Sequence, residues 1–496
     1  MDRRCYGIDF GTTNTRIAYF DGNKTSIVPA TGNWGKDYQI PSVVGIKDGK
    51  AVAFGREALI RDGVSKIHSI KWIIDREDPL EIEGFLVQPL DIITEFFRYI
   101  VRVVEQSARP KDVLANTAVT VPVKYSYRAR ENLTKALSRA GIGLKQFYHE
   151  PIAALYCDAS FRRMPGVSAV LDWGGGTLDV AVVRYSNSWV QVLAMEGIKR
   201  GGDDFDMMLL ERAINKFFYE YPDIPVSPEQ LIENKKIGSG LKIIVEDAKK
   251  DLSRIQQVTI SRSKLFKDYP LYFDITRQDF ENMIEPDIRA AISALKRSVK
   301  SAGCTDGIIT HILMSGGTCN IPVVQALVKE EYGFDRVINT LRIDNNNPEG
   351  DIANATAIGA AMMLSSGVKP VFVRDIGVRM ADVTSQEDRF YTVFNGGDDI
   401  STGSRIENFF IANPYGGVAR LLICDRLKSD INSPQGTLKK ILTVPVDRKE
   451  TSINVNFTIT PHLALKVDAS GIIAKSSGSS TVITDLAVGF MVPEEG

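Results

Sequence analysis

The feature that most constrains this chain is an internal repeat. Tyr6 to Phe20 reads YGIDFGTTNTRIAYF, and Ala169 to Val183 reads AVLDWGGGTLDVAVV. Laid over each other, Asp9 falls on Asp172, Gly11 on Gly174, Thr13 on Gly176 and Ala18 on Ala181. Each copy is an apolar strand that runs into an acid, turns through Gly and Thr, and leaves as a second apolar strand. That is the signal of a hairpin, with small residues where the backbone turns tightly. Two unrelated hairpins would share neither the acid nor the glycines in register. The repeat therefore predicts two related lobes, each offering a loop to a shared cleft.

The remainder alternates strand-like and helix-like stretches. Leu90 to Ala108 spaces its apolar residues as a helix and stops before Pro110, while Ala115 to Val123 is β-branched and strand-like. Ser126 to Ala140 is helical, with Gly141 as its C-cap. DDFDMMLLERAINKFFYE and IIVEDAKKDLSRI read as helices, and THILMSGG as a strand entering a glycine turn. Alternation of this kind predicts an α/β fold with largely parallel sheets. Near residue 366 the pattern changes. LSSGVKP is a break, followed by the short runs FYTVF, RIENFFI, ARLLI, KKILTVPV, INVNFTIT and HLALKVDA between NGGDD, NPYGG and SPQG turns. These predict a β-sandwich or related all-β domain, with SSGSSTVITDLAVGF as one last strand behind a flexible turn.

Composition excludes several classes. The 496 residues are too many for one core and suggest about three folding units. Sixty basic against 61 acidic residues leave a net charge of -1, which gives no field for nucleic acid or a membrane surface. No run approaches a membrane span, and MDRRCYGIDFG reaches a structured motif without a secretory segment. The five cysteines (Cys5, Cys157, Cys304, Cys319, Cys424) are scattered, forming neither a disulfide framework nor a CxxC metal site. The four histidines give no zinc constellation. The expectation is a soluble, cytoplasmic, multi-domain protein.

The hairpin loops suit phosphate. Successive backbone N–H groups in a tight turn form a concave anion site, and Thr12, Thr13 and Thr177 add hydroxyl donors. Asp9 and Asp172, at strand ends, can hold the waters of a hydrated magnesium ion, which needs few carboxylates. Neither loop is a Walker motif or the GxGxxG dinucleotide fingerprint. Glu246, Lys249, Lys250 and Ser253 share one helix face, and by themselves read as a solvated face with an internal Glu–Lys pair.

At this point the sequence resembles the seventy-kilodalton heat-shock chaperones, within the actin, sugar-kinase and chaperone ATPase superfamily. The matching motifs are GIDFGTTN, TVPVKYSYRARENL, HEPIAAL, LDWGGGTLDV, GGDDFD, EDAKKDLS, ITRQDFE and ILMSGGTCNIP, in family order over residues 1 to about 365. The resemblance implies a two-lobed, actin-like (duplicated ribonuclease H-like) ATPase domain over residues 1–365. A linker at 366–375 and a smaller all-β sandwich over 376–496, the peptide-binding part, would follow. It implies ATP or ADP and Mg²⁺ as ligands, and unfolded or extended polypeptide clients as partners, with a co-chaperone or nucleotide-exchange factor.

Carried over by position, Lys71 matches the lysine that orients the attacking water, and Glu150 the glutamate near magnesium. Asp172 and Asp179 match acids that hold magnesium waters and the attacking water, and Thr177 a γ-phosphate contact. Gly11, Thr12, Thr13 and Asn14, with Gly174, Gly175 and Gly176, match the phosphate loops; Gly201 and Gly202 belong to the GGDDFD motif. Glu246, Lys249, Lys250 and Ser253 match ribose and adenine contacts, and Gly316, Gly317 and Thr318 the loop facing the nucleotide from the other side. Phosphoryl transfer needs mainly positioning and charge neutralisation, so such a set suffices without a cysteine or histidine nucleophile.

The chain departs from the family in four places. GGTCNIP puts Asn320 where the family has an arginine that stacks on adenine. NPEGDIANATAIGAA carries extra residues and lacks the matching acid, and VKPVFVRDIGV replaces the acidic, leucine-rich linker. With Gly496 soon after the last strands, the expectation is a short member without the helical lid and tail. The rival class is an actin-like, ATP-dependent assembly or scaffold protein with a partner-docking β domain. A sugar or acetate kinase fits less well, because GGDDFD and EDAKKDLS are present and no sugar site is evident.

Overall fold

The computed structural model describes residues 4–30, 38–107, 114–123, 125–157, 166–185, 189–233, 235–333, 337–339, 354–381, 388–398, 400, 404–411, 417–426, 435–460, 462–473, 478–486 and 488–491. Most of the NPYGG turn and the NPEGD part of the inserted segment lie outside them. The chain divides into two compact units. The first is Met1–Val123, Asn132–Arg184 and Leu193–Ser365; the second is Lys124–Glu131, Tyr185–Val192 and Ser366–Gly496.

In the first unit, Cys5–Phe10 is an almost wholly buried run, as a central strand requires. It pairs antiparallel with Asn14–Phe20, Phe10 opposite Thr15, and parallel with Thr117–Val121, which pairs parallel with Leu144–His149. The second copy of the repeat, Gly166–Trp173 and Leu178–Tyr185, forms neighbouring strands of another sheet. There Gly166–Trp173 also pairs parallel with Ile309–Ser315, Asp172 opposite Ser315, and Ile309–Ser315 with Val337–Asn339. The two copies thus take equivalent places at the same kind of strand end.

Helices cover these sheets with their apolar stripes. Pro89–Ser107 starts on a proline and buries Ile92, Ile93, Phe96, Phe97, Ile100, Val103 and Val104. Tyr127–Arg139 ends before Gly141, whose φ of 82° lets the chain reverse. Gly202–Glu220, Lys235–Leu252 and Arg277–Ser301 surround a core built on Trp173, Phe205, Phe217, Phe280 and Leu295. The helix expected to run to Ile255 stops at Leu252, and Ser253 to Ile255 continue as a turn held by Arg254 and Ile255 N–H groups donating to the Asp251 carbonyl.

The second unit contains two four-stranded antiparallel sheets. One orders Asp388–Phe394, Asp375–Ala381, Val418–Arg426 and Thr437–Pro445; the other Ser404–Phe410, Ser452–Thr460, Ala464–Gly471 and Ser479–Ile483. Ile453, Val455 and Phe457 alternate inward, and Phe409 meets Tyr391 at 5.5 Å and Phe457 at 6.4 Å between ring centroids.

Two details differ from the sequence reading. Within the segment read as a linker, Lys369–Phe372 is a strand, paired antiparallel with Val488–Met491. Val371 and Phe372 are apolar and buried, and a partner strand satisfies their backbone. The tail holds two strands rather than one, Ser479–Ile483 and Val488–Met491, in different sheets; Asp485 between them is a poor strand former. Among the described residues no helix is long and apolar enough to cross a membrane, which says nothing of β-barrels.

Candidate functional site

A cavity of about 840 Å³ opens in the first unit, and every sequence-predicted site residue lines it except Gly201. Both hairpin loops reach it. The first, Gly11 to Thr13, is braced by Ser42, whose Oγ donates to the Gly11 carbonyl at 2.8 Å while its N–H donates to the Thr13 carbonyl at 2.8 Å. The second closes on itself, the Gly174 N–H donating to the Thr177 carbonyl at 2.9 Å. Gly201 lies behind it: a Cβ there would sit 2.3 Å from the Gly175 carbonyl oxygen. At Gly175 a Cβ would fall 2.2 Å from Thr13 Oγ1, so the loops approach too closely for any side chain. Gly316, with φ of 86°, turns the chain after Ile309–Ser315 and brings Gly317 and Thr318 to the cavity, where Thr318 Oγ1 donates to the Gly174 carbonyl at 2.8 Å.

Acids dominate one part of the lining. Burial, then the charges of Glu150, Asp9 and Asp179, push Asp172 up to about 8. Burial and Glu150 push Asp9 up to about 6, against the pull of Arg16 and Lys71. Lys71 stands on the short 3₁₀ turn Ile70–Ile73 and donates to Glu150 Oε1 at 2.8 Å, both side chains about nine-tenths buried. Burial works against its charge, but Glu150, Asp9 and Asp179 outweigh it and hold the ammonium above its ordinary pKa. Thr177 Oγ1 donates to Asp179 Oδ2 at 3.2 Å.

The helix-face set also meets the cavity. Lys250 pairs with Glu246 at 2.7 Å, as the spacing implies, and that attraction together with Lys249 outweighs burial to hold Glu246 below its ordinary pKa. Lys249 is committed to the protein itself: its Nζ donates to the Gly202 carbonyl at 2.8 Å and to Asp206 Oδ2 at 2.7 Å. Lys249 therefore positions the Gly202 loop. Asn320, in the turn Gly317–Asn320, lines the cavity.

Sequence reasoning passed over Arg16, Tyr38, Gln39, Asp203, Arg254, Ser315, Ile321 and Thr356, which also line it. Asp203 accepts from Thr13 Oγ1 at 3.1 Å and so joins the first hairpin loop to the start of helix Gly202–Glu220. Its only sequence signal was its place in GGDDFD, where an acid in a first helical turn reads as a dipole partner.

The donor set fits a hydrated magnesium ion. Among the described residues no three acids converge to chelate a metal directly. Asp9 and Asp172 are instead carboxylates that burial and then the charge of Glu150 raise, and a cation that keeps its waters suits such hard oxygen donors.

These features define a mixed α/β protein with several sheets and a cavity walled by paired glycine turns and buried acids. The chain belongs to the Hsp70 protein family, whose model matches residues 5–483 of the 496. Membership makes it a chaperone-type protein of an ATPase family.

Proposed function

We propose that the cavity binds ATP with hydrated magnesium and hydrolyses it, and that the β-rich residues 376–496 bind extended polypeptide. The observation that carries the reading is the approach of both repeat loops to one cavity that also holds the Lys71–Glu150 pair. In this reading residues 1–365 form the two-lobed, actin-like part. The N–H groups and hydroxyls of Gly11 to Asn14 and Gly174 to Thr177 bind the phosphate chain. Asp9 and Asp172 would hold magnesium through its waters, and the ion, when bound, neutralises phosphate charge. Asp179 and Glu150 orient the attacking water, and the Lys71 ammonium stabilises charge on the terminal phosphate. Glu246, Lys250 and Ser253 face the ribose and base, while Gly317, Thr318 and Asn320 approach from the opposite side.

The support is family membership joined to this geometry. Steady-state ATP turnover, with and without an unfolded polypeptide, tests it. Magnesium-dependent turnover that the polypeptide stimulates is expected, and Lys71→Ala lowers the single-turnover rate by about 10²-fold or more while ATP affinity stays within about threefold. An unchanged chemical rate in Lys71→Ala removes the lysine from the mechanism. ATP-dependent large particles in sedimentation, without polypeptide binding, would favour an assembly protein instead.

A further inference from the structure

Five cations line the cavity: Arg16, Lys71, Lys249, Lys250 and Arg254. Each of the three lysines pairs with an acid, Lys71 with Glu150, Lys249 with Asp206 and Lys250 with Glu246. Neither arginine makes an ion pair among the described residues. The two stand on different stretches of the chain. Arg254 follows the helix of Glu246 and Lys250, whereas Arg16 stands on Asn14–Phe20 directly opposite Asp9 in the ladder of the first hairpin. Residues opposite each other in an antiparallel pair leave the same face of the sheet, so the Arg16 side chain rises beside Asp9 next to the loop Gly11 to Thr13.

The Arg16 guanidinium is held but not used up. Its Nη2 donates to Gln39 Oε1 at 3.2 Å, which is its one hydrogen bond among the described residues. Most of its five donors remain available to an oxyanion, in a planar fork that matches two phosphate oxygens at once. The repeat adds a second argument. The overlay that places Asp9 on Asp172 places Arg16 on Asp179, so one hairpin presents a fixed cation where the other presents an acid. An acid there suits a water molecule; a guanidinium suits the phosphate.

We propose that Arg16 contacts the phosphate chain of the nucleotide, reads its terminal phosphoryl group and sets the preference for triphosphate over diphosphate. The proposal rests on the nucleotide reading above. Gln39 acts as a positioning residue that keeps the fork aimed at the site. The terminal phosphate carries the most charge and the most unshared oxygens, so the interaction falls away when only a diphosphate is bound.

Calorimetric titration of the full chain with ATP and with ADP, each with magnesium, tests this. Arg16→Ala is expected to weaken ATP by about tenfold or more and ADP by less than about threefold, in the range of one charge-assisted hydrogen-bonded contact. Arg16→Lys, which keeps the charge without the fork, falls between. Gln39→Ala, which leaves the guanidinium in place, raises the ATP Kd a few-fold and leaves ADP unchanged; these two variants carry the test if Arg16→Ala does not fold. A parental ratio of ATP to ADP affinity in all variants overturns the role of Arg16 while the nucleotide reading stands. A parent chain that binds neither nucleotide overturns both.

Discussion

Asp172 is the residue where stability and chemistry pull in opposite directions. Burial and three neighbouring acids push its carboxyl up to about 8 in the folded protein, from 3.8. A carboxyl whose pKa rises on folding keeps a proton that the unfolded chain has released, so folding stability falls as pH rises from about 4 to about 8. Asp172→Asn removes this penalty, and in the ligand-free protein it should gain on the order of 1–3 kcal/mol at pH 8, with the gap closing towards pH 4. Thermal midpoints of parent and variant across that range measure the effect; a parent that does not lose ground to the variant as pH rises contradicts it. Magnesium dependence of turnover should weaken in the same variant. The acid was legible in the sequence because it occurs twice in one pattern. Arg16 and Asp203 were not, since their place rests on what stands opposite them: Asp9 across a ladder and Thr13 at the other end of a 3.1 Å hydrogen bond. Spacing along the chain carries no record of these contacts, although the repeat overlay does set Arg16 on Asp179.

Among the elements, helix Ala355–Ser365 is closely confined. It is almost wholly buried and free of charge, ATAIGAAMMLS, and close approach by small residues defines its packing. A Cβ on Gly359 would lie 1.7 Å from the Ala153 carbonyl oxygen, and one on Gly7 would lie 2.1 Å from that of Ala357. The helix therefore sits tightly between strand Cys5–Phe10 and helix Glu150–Tyr156, whose first residue is the partner of Lys71. Gly359→Ala has to push backbone apart, so a loss of roughly 1–3 kcal/mol is expected from urea unfolding, in the range of overpacked cores. Turnover should fall as well, because helix Glu150–Tyr156 cannot move without displacing Glu150. Unchanged stability would mean that the packing is looser than the contacts indicate. Amphipathic helices such as Pro89–Ser107 announce themselves through periodicity. A helix buried on all sides has no such stripe, and only its small residues hint at what it touches.

At the scale of the molecule, the second unit is assembled from three separate stretches of chain, Lys124–Glu131, Tyr185–Val192 and Ser366–Gly496. A change of composition near residue 366 reveals only the last of them. Strand order inside this unit shows what the others contribute. Trp189 to Gln191 pair antiparallel with Val488–Met491, which pairs on its other side with Lys369–Phe372. Val190, Phe490 and Phe372 are all buried there. The segment read as a linker thus holds a strand paired along Val488–Met491, which comes from near the end of the chain. A fragment ending at Ser365 would leave without partners those N–H and C=O groups of Trp189 to Gln191 that face Val488–Met491, and would expose Val190. The expected outcome is faster amide exchange of residues 189–191 in that fragment than in the full chain, and a lower thermal midpoint. Full-chain Phe490→Ala, which keeps every backbone bond but opens a cavity in the ladder, should lose about 3–5 kcal/mol, the usual cost of truncating a buried phenylalanine. Exchange at 189–191 as slow in the fragment as in the full chain would show that the ladder contributes nothing to order there. The boundary at residue 365 would then be as clean as composition alone suggests.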